Sequence, residues 1–492
     1  MSLDGKKGAA EFRQALRTLV SPDSSYSRYS AHRNSPVRHD YSYEEIVDLI
    51  NSGNVDALRE LSRYYYRISG IYRNAIDLRA NMSLYDTVVT PLFTGEGKGA
   101  KSKVVKAFNA ACKFVDDLNV PVNFSRITRE LLLSGVYNGV LRETGDGVVV
   151  QDLPLAYCRT RFKDAHGLDI LEFNVAYFDG IANESDRKEA LDSFPSEVRK
   201  AYYRWRNRAS NVQWVEIGAE IGGMSFSFGD KTPILVASIP SIRELDDAVE
   251  REAKRDEDEL GKLLIQQMPI DSKGQLVFQL DEVADLHASV AEMLQDRDTI
   301  DVLTTFGETS LESVQDSTAA SQSSDRITKY KDNAYDEVGI AALLFNPDGS
   351  SSLPYAIKKE EALIGNVNNL YAAWLKYQVN RRFGKNGVEF DFTILPTTIF
   401  NRKEMQEQYF RGAQYGYSKM YAGVAMGVKQ VNQISLMTFE NDMLGMTEKM
   451  IPLQSTYTSS GKDVVSSSPS GGRPPKDDTE KSEKTVQNVE GK

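Results

Sequence analysis

The residues best placed to do chemistry lie at 95–102, GEGKGAKS, between a strand-like and a helix-like segment. A phosphate-cradling loop needs glycine directly before its lysine, so that consecutive backbone amides can close around a phosphate. Here Ala100 precedes Lys101. With that position altered and no acidic strand following to hold magnesium, the segment reads as a surface loop. The carboxylate pairs Asp116/Asp117 and Asp246/Asp247 are adjacent in sequence, so they diverge around a helix and are expected to be solvated. No serine sits in a Gly-x-Ser-x-Gly setting, and no His-x-x-Glu-type helix is present. The two cysteines, Cys112 and Cys158, form no Cys-x-x-Cys pair, and the four histidines, His32, His39, His166 and His287, are scattered. The expectation is a protein that is not an enzyme, with no catalytic, cofactor-binding or metal-ligating residues.

What remains is a chain of 492 residues, long enough for two to four cores, with 41% hydrophobic and 26% charged residues, both ordinary for globular proteins. A formal charge of −11 argues against tight wrapping of nucleic acid, which needs a basic face. It leaves room for loose contact, because an acidic wall lets a duplex slide without sticking. No apolar run is long enough to span a bilayer, and the start, MSLDGKKGAAEFRQ, lacks the hydrophobic centre of a secretion signal. A soluble protein made in a cytoplasm, without a membrane partner, is expected.

The elements that would position any function fall in a clear order. Residues 1–40 read as a flexible arm and 461–492 as a disordered tail. Leu58, Leu61, Tyr65, Ile68, Tyr72 and Ile76 recur at three- and four-residue steps and predict one core helix. Residues 84–93 predict a strand, and 104–118 and 124–137 two helices. A β-rich stretch follows, with strands at 148–151, 159–162, 170–178, 212–217 and 224–228, a helical insertion at 184–206, and Gly222 and Gly223 as a hairpin turn.

The most unusual stretch is 241–346. Ser241 and Glu244 form a capping-box pattern opening a helix. Residues 244–259 hold nine acidic and three basic side chains around a thin apolar line at Leu245, Val249, Ala253, Leu260 and Leu264. So polar a helix faces water or other charged helices. Residues 269–280 interrupt it with a turn and a short strand at 275–280. Asp281 then caps a second helix striped by Val283, Leu286, Val290, Met293 and Leu294, completing a helical hairpin with a β tip. A strand at 301–306 returns, the polar loop 315–325 follows, and Ile327, Tyr330, Ala334 and Val338 stripe the next helix. The last third predicts a helix at 360–382, a strand at 388–394 and helices at 401–420 and 429–446. The fold class is α+β, mainly helical. A long ordered segment with charge but no convergent catalytic groups suits lining or bracing better than reacting.

Several blocks, in order, resemble the portal proteins of tailed bacteriophages, particularly the siphophage-like ones of Gram-positive hosts. They are SGIYRNAIDLRANMSLYDTVVTP (69–91), LLLSGVYNGVLRETGDGVVVQDLPLAYCRTRF (131–162), LEFNVAYFDG (171–180), TIDVLTTFGETSLESV (299–314), YKDNAYDEVGIAALLFN (330–346) and SKMYAGVAMGVKQVNQISLMTFENDMLGM (418–446), ending in the GGRPPKDD tail. The resemblance spans about residues 41–478. It implies a ring of about twelve copies closed by head-to-tail contacts at one capsid vertex, through which double-stranded DNA is packaged and ejected. Wing would be 41–240 and 299–383, stem 241–268 and 281–298, clip 269–280 and crown 384–460. Residues 315–325 would form a tunnel loop, with Asp316, Ser317, Thr318, Ser321, Gln322, Ser323, Ser324 and Asp325 facing DNA. In the clip, Lys273, Gln275 and Gln279 would meet the terminase large subunit and later a head-tail adaptor. Glu250, Arg251, Lys254 and Arg255 would pair between subunits or line the channel. Major capsid and scaffolding proteins are further implied partners, with the virion vertex as location and the host bacterial cytoplasm as place of synthesis. Hydrolysis would belong to the terminase, in keeping with the altered loop at 95–102. The alternatives are a virion scaffold or adaptor that never meets DNA, and a nucleotide-dependent packaging enzyme using that loop.

Overall fold

The computed structural model describes residues 41–93, 101–144, 147–260, 262–269, 277–278, 280–294, 300–306, 319–339, 353–384 and 388–446. The arm at 1–40, the tail at 461–492 and clip residues Lys273, Gln275 and Gln279 lie outside them. The chain is mainly helical α+β. It divides into two compact units, Met1–Ile434 and Ser435–Lys492. The second is described only over 435–446, where a helix passes into the π-helical turn Phe439–Met443.

Helix α1 (Tyr43–Ser52) opens on a capping box in which the Ser42 hydroxyl accepts from the Glu45 amide at 3.2 Å and the Glu45 carboxylate accepts from the Ser42 amide at 2.9 Å. The expected single helix through Ile76 is two, α2 (Val55–Ile68) and α3 (Gly70–Met82). Ser69 divides them: its amide donates to the Tyr65 carbonyl at 2.8 Å, closing α2, while its hydroxyl accepts from the Tyr72 amide at 3.3 Å, opening α3. A serine that offers the backbone a local partner is a poor helix-interior residue. Ile68, on the expected core stripe, is 55% exposed.

Strand β1 (Thr87–Phe93) and helices α4 (Lys101–Asp117) and α5 (Val120–Ser134) follow. Helix α5 stops three residues short of expectation because Gly135 takes the left-handed region at φ 72°, and β2 (Val136–Thr144) begins at once. A Cβ on Gly135 would stand 2.3 Å from the Thr232 carbonyl oxygen, so backbone proximity also demands glycine. Next come β3 (Gly147–Asp152), β4 (Cys158–Lys163) and β5 (Asp169–Asn174), helices α6 (Glu184–Asp192) and α7 (Ser196–Arg206), then β6 (Trp214–Ile217) and β7 (Gly223–Ser227). Two antiparallel sheets form, in the orders β3-β2-β7 and β4-β5-β6. Because β6 and β7 belong to different sheets, Gly222 and Gly223 are not the hairpin turn expected. They let the chain switch sheets, with Gly223 so close to the Ile217 carbonyl that a Cβ would fall 1.8 Å from its oxygen.

The unusual stretch begins with α8 (Ile239–Leu260), which starts two residues before Ser241; the capping box is therefore absent and Ser241 lies inside the helix. The helix expected through 268 ends at Leu260, where Gly261 follows in the sequence, and β8 (Lys262–Met268) takes over. Helix α9 (Leu280–Leu294) leads to β9 (Ile300–Phe306), which pairs with β8 in parallel, Lys262 opposite Ile300 through Met268 opposite Phe306. This β-α-β arrangement replaces the expected hairpin of two long helices.

Helices α10 (Ala319–Val338) and α11 (Leu353–Phe383), strand β10 (Val388–Ile394), and helices α12 (Arg402–Gln414), α13 (Lys419–Ala425) and α14 (Gln430–Thr438) complete the order. Strand β10 returns to pair antiparallel with β1, Thr87 opposite Ile394. The main core gathers Phe124, Ile127 and Leu131 of α5, Phe226 of β7, Tyr371, Trp374, Leu375 and Val379 of α11, and Phe390 and Phe392 of β10. A second core joins Leu58, Leu61 and Tyr65 of α2 to Ile239 and Ile242 of α8 and Ala334 and Val338 of α10. A third packs Phe173, Phe178 and Phe194 against Val198 and Tyr202 of α7.

The buried polar groups on α11 are paired across the core. Arg79 Nε donates to Glu360 Oε2 at 2.6 Å and its Nη2 to Oε1 at 2.9 Å, with both side chains 5% exposed or less. Removing one member of a buried pair strands the other charge in low dielectric. Glu360→Ala is therefore expected to cost about 3–5 kcal/mol of unfolding free energy, measured by urea denaturation, and the double replacement Arg79→Leu with Glu360→Leu to recover much of it.

Candidate functional site

The charged helix is anchored through its first half. Ile239, Ile242, Leu245 and Ala248 of α8 are buried, three residues apart, the first three in the second core with Ile46 of α1 and Ala334 and Val338 of α10, and Arg243 Nη2 meets Asp247 Oδ1 at 3.0 Å one turn on. None of residues 249–253 is buried. Val249, expected on the apolar line, is 49% exposed, and Ala253 is exposed as well. The expected line assumed four-residue steps from Leu245, whereas the buried residues run at three-residue steps from Ile239 to Ala248. Glu250 and Arg251 stand on the exposed part, and Lys254 and Arg255 follow on the same helix.

The expected tunnel loop is shorter than 315–325. Helix α10 begins at Ala319, so Ser321, Gln322, Ser323, Ser324 and Asp325 are helical, while Asp316, Ser317 and Thr318 lie outside the described residues. Two consecutive alanines, the best helix formers, start the helix, and the amphipathic run from Ile327 sustains it across a polar turn.

Lys101 opens α4, and residues 95–100 before it lie outside the described residues. Near the other end of that helix Asp116, expected to be solvated, pairs with Lys429 at 2.5 Å. The pair lies at a cavity of about 160 Å³ that Asp86, Cys112, Asn119 and Gln430 also line. Burial raises the Asp86 carboxyl above its ordinary value, opposed by the Thr397 hydroxyl and by Arg402. Burial likewise pushes the Cys112 thiol up to about 12 and raises that of Cys158, so neither is a thiolate nucleophile at neutral pH. Among the described residues no three His, Cys, Asp or Glu side chains converge to hold a metal ion. Nor, among them, is any helix long and apolar enough to cross a membrane.

One polar cluster escaped sequence reasoning. On the β4-β5-β6 sheet, Glu172 accepts from Arg159 Nε at 2.7 Å and from Arg161 Nε and Nη2 at 2.7 and 2.6 Å. The Arg159 guanidinium lies 3.8 Å from the centre of the Trp214 ring. Asn211, Gln213 and Glu216 complete an open cleft of about 540 Å³. The alternation Arg-Thr-Arg in β4 was the available signal; the partner carboxylate comes from the neighbouring strand. A carboxylate held between two guanidiniums stays ionised, so it orders the sheet and is unsuited to proton transfer near neutrality.

No protein-family model and no curated protein matches the chain. Among solved structures, a chain of the virion of a native gene transfer agent particle is 11% identical, with a TM-score of 0.36, covering 85% of this chain and 99% of that one. A chain from the neck of an empty gene transfer agent particle is also 11% identical with a TM-score of 0.36, covering 75% and 93%. Likeness of this depth carries no functional argument.

The arginines hold the Glu172 carboxyl below its ordinary 4.5, with the Arg161 hydrogen bonds the largest cause. A carboxyl lowered on folding stabilises the protein above its unfolded-state value and ceases to do so as the pH falls through the folded-state value. Glu172→Gln is thus expected to lower the urea midpoint at about pH 6, with the difference from the wild type shrinking as the pH falls below the ordinary 4.5 and through the lower folded-state value.

Proposed function

We propose that the chain is a structural subunit of a tailed-phage particle, and specifically a portal subunit whose ring conducts double-stranded DNA through one capsid vertex during packaging and ejection. The observation that carries the reading is helix α8: its first half is built into the body, none of residues 249–253 is buried, and the sequence from 250 to 259 carries a dense set of charges. A helix so exposed and so charged is suited to neighbouring copies and to a channel wall that must not hold DNA. The ordered blocks of sequence resemblance point the same way. In this reading Glu250, Arg251, Lys254 and Arg255 pair between copies or face the channel. Lys273, Gln275 and Gln279 belong to the surface offered to the terminase large subunit and then to a head-tail adaptor. Capsid and scaffolding proteins meet the body. The DNA-facing segment is centred on Asp316, Ser317 and Thr318, with Ser321, Gln322, Ser323, Ser324 and Asp325 on the helical turns that follow.

The purified chain is expected to form a closed ring of about twelve copies, counted by electron microscopy and checked by sedimentation. A protein that stays monomeric at every concentration and salt, with capsid partners present, overturns the reading. Nucleotide turnover that disappears in Lys101→Ala would instead favour a packaging enzyme. Photo-crosslinkers at Ser317 that give no DNA adduct in filled particles would favour a scaffold or adaptor.

A further inference from the structure

Helix α7 has one face in the third core, through Val198 and Tyr202, and a basic face outward. Residues 198–215 contain five arginines and lysines and no carboxylate. Two of the five are engaged: Arg199 with Asp192 at 3.3 Å, and Arg206 with Asp179 at 2.6 Å. Lys200 and Arg204, and Arg208 just past the helix end, are exposed and have no ion-pair partner among the described residues. Lys200 and Arg204 stand about 6 Å apart along the axis, with Tyr203 beside them 50% exposed.

In a chain with 70 acidic and 59 basic residues, carboxylate partners are not scarce. Like charges one turn apart repel. The chain then runs into the cleft where Arg159 and Arg161 are held by Glu172 and Glu216 also stands, so the cations here without an ion-pair partner among the described residues are those of the helix face, with Tyr203 beside them.

We propose that this face binds the backbone phosphates of double-stranded DNA, weakly and without sequence preference. Three exposed cations, Lys200, Arg204 and Arg208, with no carboxylate between them in the sequence suit regularly spaced phosphates better than the mixed charges of a protein surface. The overall charge of −11 keeps the contact loose. The inference stands apart from the ring reading, since it concerns the face of one subunit.

The test is fluorescence anisotropy of a labelled duplex of roughly 30 base pairs with the full chain at about 50 and about 150 mM salt. Neutralising three phosphates should weaken binding by about 20-fold over that threefold rise in salt. The triple variant K200Q/R204Q/R208Q, with thermal unfolding matched to the wild type, should lose the binding and its salt slope. Absence of binding by the wild type, or an unchanged slope in the variant, overturns the proposal. So does tighter binding of polyglutamate than of the duplex, which would assign the face to an acidic protein partner.

Discussion

The body closes on one helix of 31 residues, α11. Each of its inward polar groups reaches a different part of the chain: Glu360 to Arg79, Asn368 to Ser83 at 3.0 Å, Tyr371 to Thr128 at 2.9 Å, Trp374 Nε1 to the Gly223 carbonyl at 2.7 Å, and Gln378 to the Ala219 carbonyl at 2.8 Å. Between them Val367, Leu375 and Val379 fill the core. Burying so many polar side chains is tolerable because each makes at least one hydrogen bond, although Asn368 Oδ1 and Arg79 Nη1 are left without a partner, and these bonds fix rotation and height of the helix together. The hydroxyl chain Tyr85, Thr128 and Tyr371 adds a hydrogen-bonded seam in the same core.

That closure brackets the excursion from α8 to β9. Helices α8 and α10 enter and leave through the second core, held against α2, while the intervening chain makes its own parallel ladder. The body is ordered by dense apolar packing, and the excursion carries a parallel backbone ladder of its own.

Much of this was legible in the sequence. The stripe Ile327, Tyr330, Ala334 and Val338 placed α10, the readings at 360–382, 301–306 and 388–394 fall on α11, β9 and β10, and the order of elements pointed to the mainly helical α+β class. The misses share a cause, which is that apolar periodicity outweighed local punctuation. Ser69 and Gly261 broke helices whose stripes continued past them, and Gly135 ended an apolar run read as helix although its alternation already belonged to β2. Ser241 offered a plausible cap, yet burial of Ile239 drew the helix start inward. What could not be read was pairing at a distance. Nothing near Arg79 in the sequence announces Glu360, and Asp116 looked solvated because Lys429 lies in a different part of the chain. The Arg159, Arg161 and Glu172 cluster is likewise a cross-strand product.

The separation between Arg79 and Glu360 also sets a schedule. On a ribosome adding about 5–20 residues per second, α3 and α5 emerge roughly 15–55 s before α11 can cover them. Throughout that interval Phe124, Ile127 and Leu131 lack the cover of Tyr371, Trp374 and Leu375, and Arg79 has water as its partner. Nascent copies sharing one message would be exposed to each other during this wait, which places the risk of misassembly in synthesis rather than in the finished fold.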